Sequence, residues 1–171
     1  TFYGNYMSKR GLMPGAEFRY AASAKGEGVL KFDYLYDQED DETLLKESLQ
    51  LEREPGLIEV THKRWWWRSK QDFSLPHGAY GKVDLDFVSD PTYLRVFDTG
   101  YNRWAKSNAV FKDTFGRGLI NDDSITTRES NLLLTKSWAA HTLNADLHYY
   151  QNLNEEEDET QLQQLPLIEY S

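Results

Sequence analysis

From Lys82 to Phe87 the chain alternates strictly between charged and apolar residues, and no other stretch constrains the fold as tightly. Successive side chains of an extended backbone point to opposite faces, so Val83, Leu85 and Phe87 share one side while Lys82, Asp84 and Asp86 share the other. A sheet built from such strands has one greasy face and one charged face. Either the greasy face closes on a protein core and the charges meet water, or lipid lies outside and the charges line a wet interior. Ser89-Asp90-Pro91 then stops the strand with a turn.

Composition narrows the choice without making it. Hydrophobic residues are 39% of the 171 residues, and no run of about 18 apolar residues exists, which excludes a transmembrane helix. It does not exclude a membrane barrel, whose strands are short and alternate. Aromatics reach 14%, with 11 Tyr and 5 Trp, a content that suits sheets, interfaces and membrane girdles alike. The formal net charge of -9 argues against a nucleic-acid partner, which would demand surplus Lys and Arg. Without cysteine there is neither a disulfide framework nor a thiolate zinc site. The opening residues Thr1 to Tyr6 carry neither a basic n-region nor an apolar h-region, so the chain reads as a piece of a longer precursor.

Taken in order, the pattern predicts strands over 2–8 and 15–22, joined through Lys9-Arg10-Gly11, and a better one over 28–36 with Leu30, Phe32, Tyr34 and Tyr36 opposite Lys31 and Asp33. Asp37 to Glu42 reads as a solvated acidic loop, and 44–54 has ambiguous, nearly helical periodicity stopped by Pro55-Gly56. A strand over 57–69 contains Arg64-Trp-Trp-Trp-Arg68. Three consecutive Trp cannot share one face, and Trp65, Trp66 and Trp67 are expected to anchor at a bilayer boundary where Arg snorkels to headgroups. After the strand over 79–88, a helical turn capped by Asp90 is expected near 92–98. The stretch 100–123 has the composition of a long surface loop holding one short strand at most. A hairpin follows over 125–138 and 141–151, with Thr142, Asn144, Asp146 and His148 on its polar face, then a second acidic turn over 152–160 and a further strand from Leu165. The expectation is an all-β, antiparallel up-and-down arrangement of about eight strands in one unit, with long connections near 37–56, 99–124 and 152–160.

Catalytic, cofactor and metal templates are absent: the sequence has no phosphate-binding glycine loop, no His-Glu-x-x-His and no nucleophile elbow. His62, His77, His141 and His148 are scattered. Asp84 and Asp86 have the spacing of a glycosidase pair, but Lys31, Asp33, Asn144 and Asp146 repeat the same polar face elsewhere, which marks architecture and not a site.

The clusters Asn5-Tyr-Met-Ser-Lys-Arg-Gly11, Glu17-Phe-Arg-Tyr20, Val88-Ser-Asp-Pro-Thr-Tyr93 with Phe97-Asp98, and Leu165-Pro166 occur in an order and at spacings that resemble the LptD family of outer-membrane LPS-assembly proteins, also called organic solvent tolerance proteins. The resemblance implies the early strands of a large C-terminal outer-membrane β-barrel that follows a periplasmic jelly-roll domain. It also implies lipopolysaccharide (LPS) leaving through a seam between the first and last strands, a plug lipoprotein inside the barrel, and a bridge protein of jelly rolls. Under it Gly4 and Pro14 are lateral-gate candidates, Lys9, Arg10 and Arg19 a basic cluster at the seam, and Lys31, Asp33, Lys82, Asp84, Asp86, Asn144, Asp146 and His148 lumen lining. Pro14 also reads simply as an edge or turn proline beside Gly15.

Two other functions remain open on the residues alone. One is a soluble ligand-binding β-barrel or sandwich that buries Val83, Leu85, Phe87, Leu143 and Leu147. The other is a carbohydrate-active enzyme using Asp84 and Asp86.

Overall fold

The computed structural model of the chain describes residues 1–22, 26–49, 60–153 and 164–171. Its frame is one eight-stranded antiparallel sheet in strictly sequential order, β1 (Phe2–Met7), β2 (Gly11–Ala21), β3 (Gly26–Tyr36), β4 (Lys63–Ser74), β5 (Ala79–Val88), β6 (Thr127–Trp138), β7 (His141–Asn152) and β8 (Gln164–Tyr170). This is an up-and-down meander. The connections between β2 and β3, β4 and β5, and β6 and β7 are short and gather at one end; the β4–β5 connection is a tight turn in which His77 and Gly78 both adopt positive φ. At the other end lie the Met7–Gly11 turn and the longer stretches after β3, β5 and β7.

The two faces of the sheet are inverted relative to a soluble domain. Lys31, Asp33, Arg64, Arg68, Lys70, Asp86 and Arg128 are each 3% exposed or less, whereas Phe2, Phe18, Tyr6 and Ile168 are 63% exposed or more. A buried ion is tolerated only when paired and hydrogen-bonded, so the inner face must bring its own counter-ions. Val83, Leu85 and Phe87 lie outward and are half-buried by neighbouring strands, and Leu147 is exposed. The soluble-barrel expectation, which buries these residues in a core, is not favoured, since it is the charged face that the chain covers.

The cover comes from the β5–β6 connection, where the structure differs most from the sequence expectation. The stretch 100–123 is not a surface loop. It contains α3 (Trp104–Phe115), preceded by the single turn α2 (Tyr93–Val96), and both fold onto the inner face. Met13, Leu35, Trp66, Val88, Tyr93, Leu94 and Phe97 form one buried cluster, with Trp104 packed against it. The stripe Trp104, Ser107, Phe111 and Phe115 has helical spacing, and Gly116 ends the helix in the left-handed conformation with its N–H on the Lys112 carbonyl at 3.0 Å. What hid the stripe is Ser107, a polar residue at a fully buried position.

A second correction concerns the acidic block. Helix α1 (Asp41–Leu49) begins inside it, and Asp40 accepts hydrogen bonds from the Thr43 N–H at 2.9 Å and the Thr43 hydroxyl at 3.0 Å. Acid at a helix N-terminus meets the unsatisfied N–H groups and the positive end of the dipole. Asp37, expected in water, is fully buried. The expected strand residues 57–59 and most of the acidic turn over 152–160 lie outside the described residues.

Three aromatic rings lie over the glycine directly opposite them on the next strand: Tyr3 over Gly15, Tyr20 over Gly28 and Phe73 over Gly81. A methyl group at these glycines would come within 2.2, 2.2 and 2.5 Å of ring carbons. Beyond Asp84↔Asn131 the β5–β6 ladder gives way to side chains: the Asp86 N–H donates to Ser130 Oγ at 3.0 Å, and Gln151 both accepts from the Val88 N–H and donates to its carbonyl.

Gly28→Ala or Gly81→Ala should destabilise the folded protein by about 1–3 kcal/mol through overpacking. Gly4→Ala, whose methyl would sit 3.4 Å from Leu12, should stay within about 0.5 kcal/mol. Denaturant unfolding followed by Trp fluorescence measures both.

Candidate functional site

The inner face is a lattice of ion pairs that ties the connections to the strands. Arg64, near the start of β4, holds four groups at once. Its Nε and one terminal nitrogen donate to Asp90 at 3.2 and 2.9 Å, and the same terminal nitrogen meets Thr92 Oγ1. The other donates to Asp37 at 3.2 Å and Glu47 at 3.4 Å. Arg10, on the β1–β2 turn, reaches the same Asp37 at 2.6 Å and also pairs with Glu47. Three separate connections, β1–β2, β3–β4 and β5–β6, thus meet at two guanidinium groups. The Ser89-Asp90-Pro91-Thr92 turn owes its shape to this: Asp90 accepts from the Thr92 N–H at 3.1 Å, the Thr92 hydroxyl at 2.7 Å and the Ser89 hydroxyl at 2.7 Å. Burial works to raise the Asp90 carboxyl, but Arg64 and the hydroxyls of Thr92 and Ser89 outweigh it and hold it below the ordinary carboxylate range.

Deeper along β4, Arg68 pairs with Asp33, stacks on the Trp66 ring at 3.9 Å and donates to Ser107 of α3 at 3.1 and 3.0 Å. That explains the serine in the helix stripe. Trp66 donates its indole N–H to Asp86 at 2.8 Å, and Arg128 pairs with the same carboxylate. Lys70 meets Asp84 at 2.6 Å, while Arg117, just after α3, bridges Asp84 and Asp72. At the β1 side Glu17 pairs with Arg19 and lies 3.3 Å from Lys31. On β6 and β7, His148 sits between Glu129 at 2.6 Å and Asp146 at 3.0 Å.

These contacts place the residues singled out from sequence. Lys31, Asp33, Asp84 and Asp86 lie on the inner face and are buried, with Lys82, Asn144, Asp146 and His148 partly so. Asp84 and Asp86 are each engaged by two cations or donors, which is not the open carboxylate pair that a glycosidase needs. Trp66 points inward and is fully buried, so it is no interface anchor; only Trp65 and Trp67 face outward, Trp67 being 42% exposed. Arg64 and Arg68 likewise turn inward, away from any headgroup. Of the basic cluster, Arg10 and Arg19 are already paired, and Lys9 is exposed. Gly4 and Pro14 stand directly opposite each other across β1 and β2. Among the described residues no group of three or more His, Asp or Glu is arranged to hold a metal ion. Sequence reasoning missed Arg10, Arg64, Arg68, Arg117 and Arg128 as the organising groups; the alternation of Arg64, Trp66 and Arg68 on one side of β4 was the available signal.

Chemically, the arrangement fixes structure. Its cations are matched to carboxylates, and the described inner face offers no open cluster of positive charge. Among the described residues, four buried side-chain N or O atoms have no hydrogen-bond partner, Tyr3 Oη, Lys31 Nζ, Asp33 Oδ1 and Asn102 Oδ1.

Residues 62–171, well over half of the chain, match the family model described as LPS transport system D. Among curated relatives, the LPS-assembly protein LptD of Pseudomonas aeruginosa (strain UCBPP-PA14) is 33% identical over 99 residues, covering 58% of this chain and 9% of that protein. The namesake of Ectopseudomonas mendocina is 37% identical over 101 residues, again 58% and 9%. That of Shigella dysenteriae serotype 1 is 25% identical over 156 residues, covering 89% of this chain and 18% of the relative. The chain thus spans less than a fifth of the length of these relatives.

Asp90→Asn should cost about 3–5 kcal/mol at neutral pH, because it leaves the Arg64 guanidinium buried without its main partner. The Asp90 carboxyl is depressed in the folded state, so its contribution is complete above its unfolded value of about 3.9 and is lost as pH falls through the lower folded value. The stability gap between wild type and Asp90→Asn should therefore be constant from pH 7 to about 4 and shrink below that, which denaturant titrations at each pH will check.

Proposed function

The chain belongs to the LPS transport system D family, and on that premise we propose that it is an early portion of a large transmembrane β-barrel that inserts LPS into the outer leaflet of the outer membrane. The observation that carries this reading is the inverted sheet: an outward face bearing exposed Phe2, Tyr6, Phe18 and Ile168, against an inner face of buried ions. A barrel in lipid requires that polarity, with an apolar band outside and a polar lumen within. Up-and-down order and connections that are short at one end and long at the other have the same origin.

In this proposal β1 stands on the first-strand side of the seam, and Trp65 and Trp67 serve as interface anchors. Lys9, exposed on the Met7–Gly11 turn, is the cation placed to meet lipid A phosphates, since Arg10 and Arg19 already hold carboxylates. A plug lipoprotein and a periplasmic jelly-roll bridge are the proposed partners, on the strength of family membership.

Phe18 distinguishes lipid from water. It is 63% exposed and outward-facing, so Phe18→Lys in the full-length protein should cost about 2–4 kcal/mol in phospholipid vesicles if the face meets hydrocarbon, and almost nothing if it meets water. Equal stability of variant and wild type would overturn the membrane reading. Separately, a photocrosslinker replacing Lys9 should capture LPS during export; adducts forming elsewhere on the barrel but not there would remove β1 from the seam.

A further inference from the structure

We infer that the β1–β2 hairpin is hinged at Gly15, so that its tip, Met7 to Pro14, parts from β3 as a unit and is latched by Arg10. The first observation is an asymmetry in pairing. β2 pairs with β1 without interruption from Ala16↔Phe2 to Gly11↔Met7, whereas its ladder with β3 runs from Ala21↔Glu27 only as far as Gly15↔Asp33. The tip of the hairpin is therefore paired within itself where it is no longer paired with β3.

Hydrogen-bond parity explains the break. Thr1 and Glu17 exchange both backbone bonds, at 2.7 and 2.8 Å, so odd-numbered residues of β2 direct their backbone groups toward β1. Even-numbered residues then face β3, as the Ala22 N–H does in donating to the Gly26 carbonyl at 2.7 Å. Pro14 is even. Its missing N–H is a bond lost from the β2–β3 ladder, while its pairing with Gly4 of β1 loses nothing. The expectation that this proline loosens the outer edge of β1 thus moves one strand inward.

Past the break, three contacts hold the tip. The Gln38 N–H donates to the Arg10 carbonyl at 3.1 Å, Met13 is buried beneath Tyr93 and Asn102, and Arg10 grips Asp37 and Glu47. At the hinge, Tyr3 and Asp33 both lie over Gly15, and their Oη and Oδ1 atoms are buried without partners. Unsatisfied donors and acceptors at one place favour entry of water, which lowers the cost of parting the strands there.

The test is hydrogen exchange on the full-length protein in detergent, and its outcome does not depend on LPS transport. Amides that point across the β2–β3 seam past the break, Leu12, Tyr34 and Tyr36, should exchange faster than the equivalent amides of Ala16, Phe18 and Tyr20. Pro14→Val, which restores the donor, should slow them by roughly two- to tenfold, with Pro14→Ala as the substitute if the valine variant fails to fold. Arg10→Gln should speed exchange in the tip while leaving β4 and β5 unchanged. Uniform protection along β2, no slowing in either Pro14 variant, or Arg10→Gln speeding exchange evenly across β1 to β5 would each overturn the hinge.

Discussion

The fold depends on burying guanidinium groups. Arg64, Arg68 and Arg128 are each 1% exposed or less, and a charge withdrawn from water costs several kcal/mol unless partners surround it. Each partner set draws in a connection: Asp90 and Thr92 on Arg64, Ser107 on Arg68, and the Asn121 and Asp122 carbonyls on Arg128. The strands supply the cations, and the β5–β6 connection is held against the sheet because it completes them. Apolar packing of Tyr93, Leu94 and Phe97 against Trp66 and Met13 then fills the space between.

The same lattice bears on the anionic ligand that the family handles. A face whose positive charges are matched to carboxylates offers an anionic group little, despite the number of Arg and Lys that line it. The lattice ties the β5–β6 connection to the strands of the inner face. The backbone ladder itself is incomplete beyond Gly15 between β2 and β3 and between the C-terminal half of β5 and β6.

Much of the sheet was legible in the sequence because a strand's period of two converts directly into faces. Lys31 and Asp33, Asp84 and Asp86, and Asn144 and Asp146 were assigned to one side by alternation alone, and the structure has each pair on the inner face. Of the helices, the turn at α2 was expected and the α1 stretch read as nearly helical, but α3 was not legible. Ser107 breaks the apolar stripe of α3 because its partner is Arg68, thirty-nine positions away. Asp37 reads as solvated acid because its partners, Arg10 and Arg64, come from other strands. Trp66 reads as an anchor beside Trp65 and Trp67 until its indole N–H finds Asp86.

By itself, the sequence determined the strands, their order and the two-sided character of each, since these follow from local periodicity and turn residues. Only the tertiary structure decided which side is covered, because both sides are chemically consistent with burial until the partners of the charges are known. Pairing fourteen to forty-five positions apart along the chain matches the inner ions, and that long-range matching turns an alternating sheet inside out.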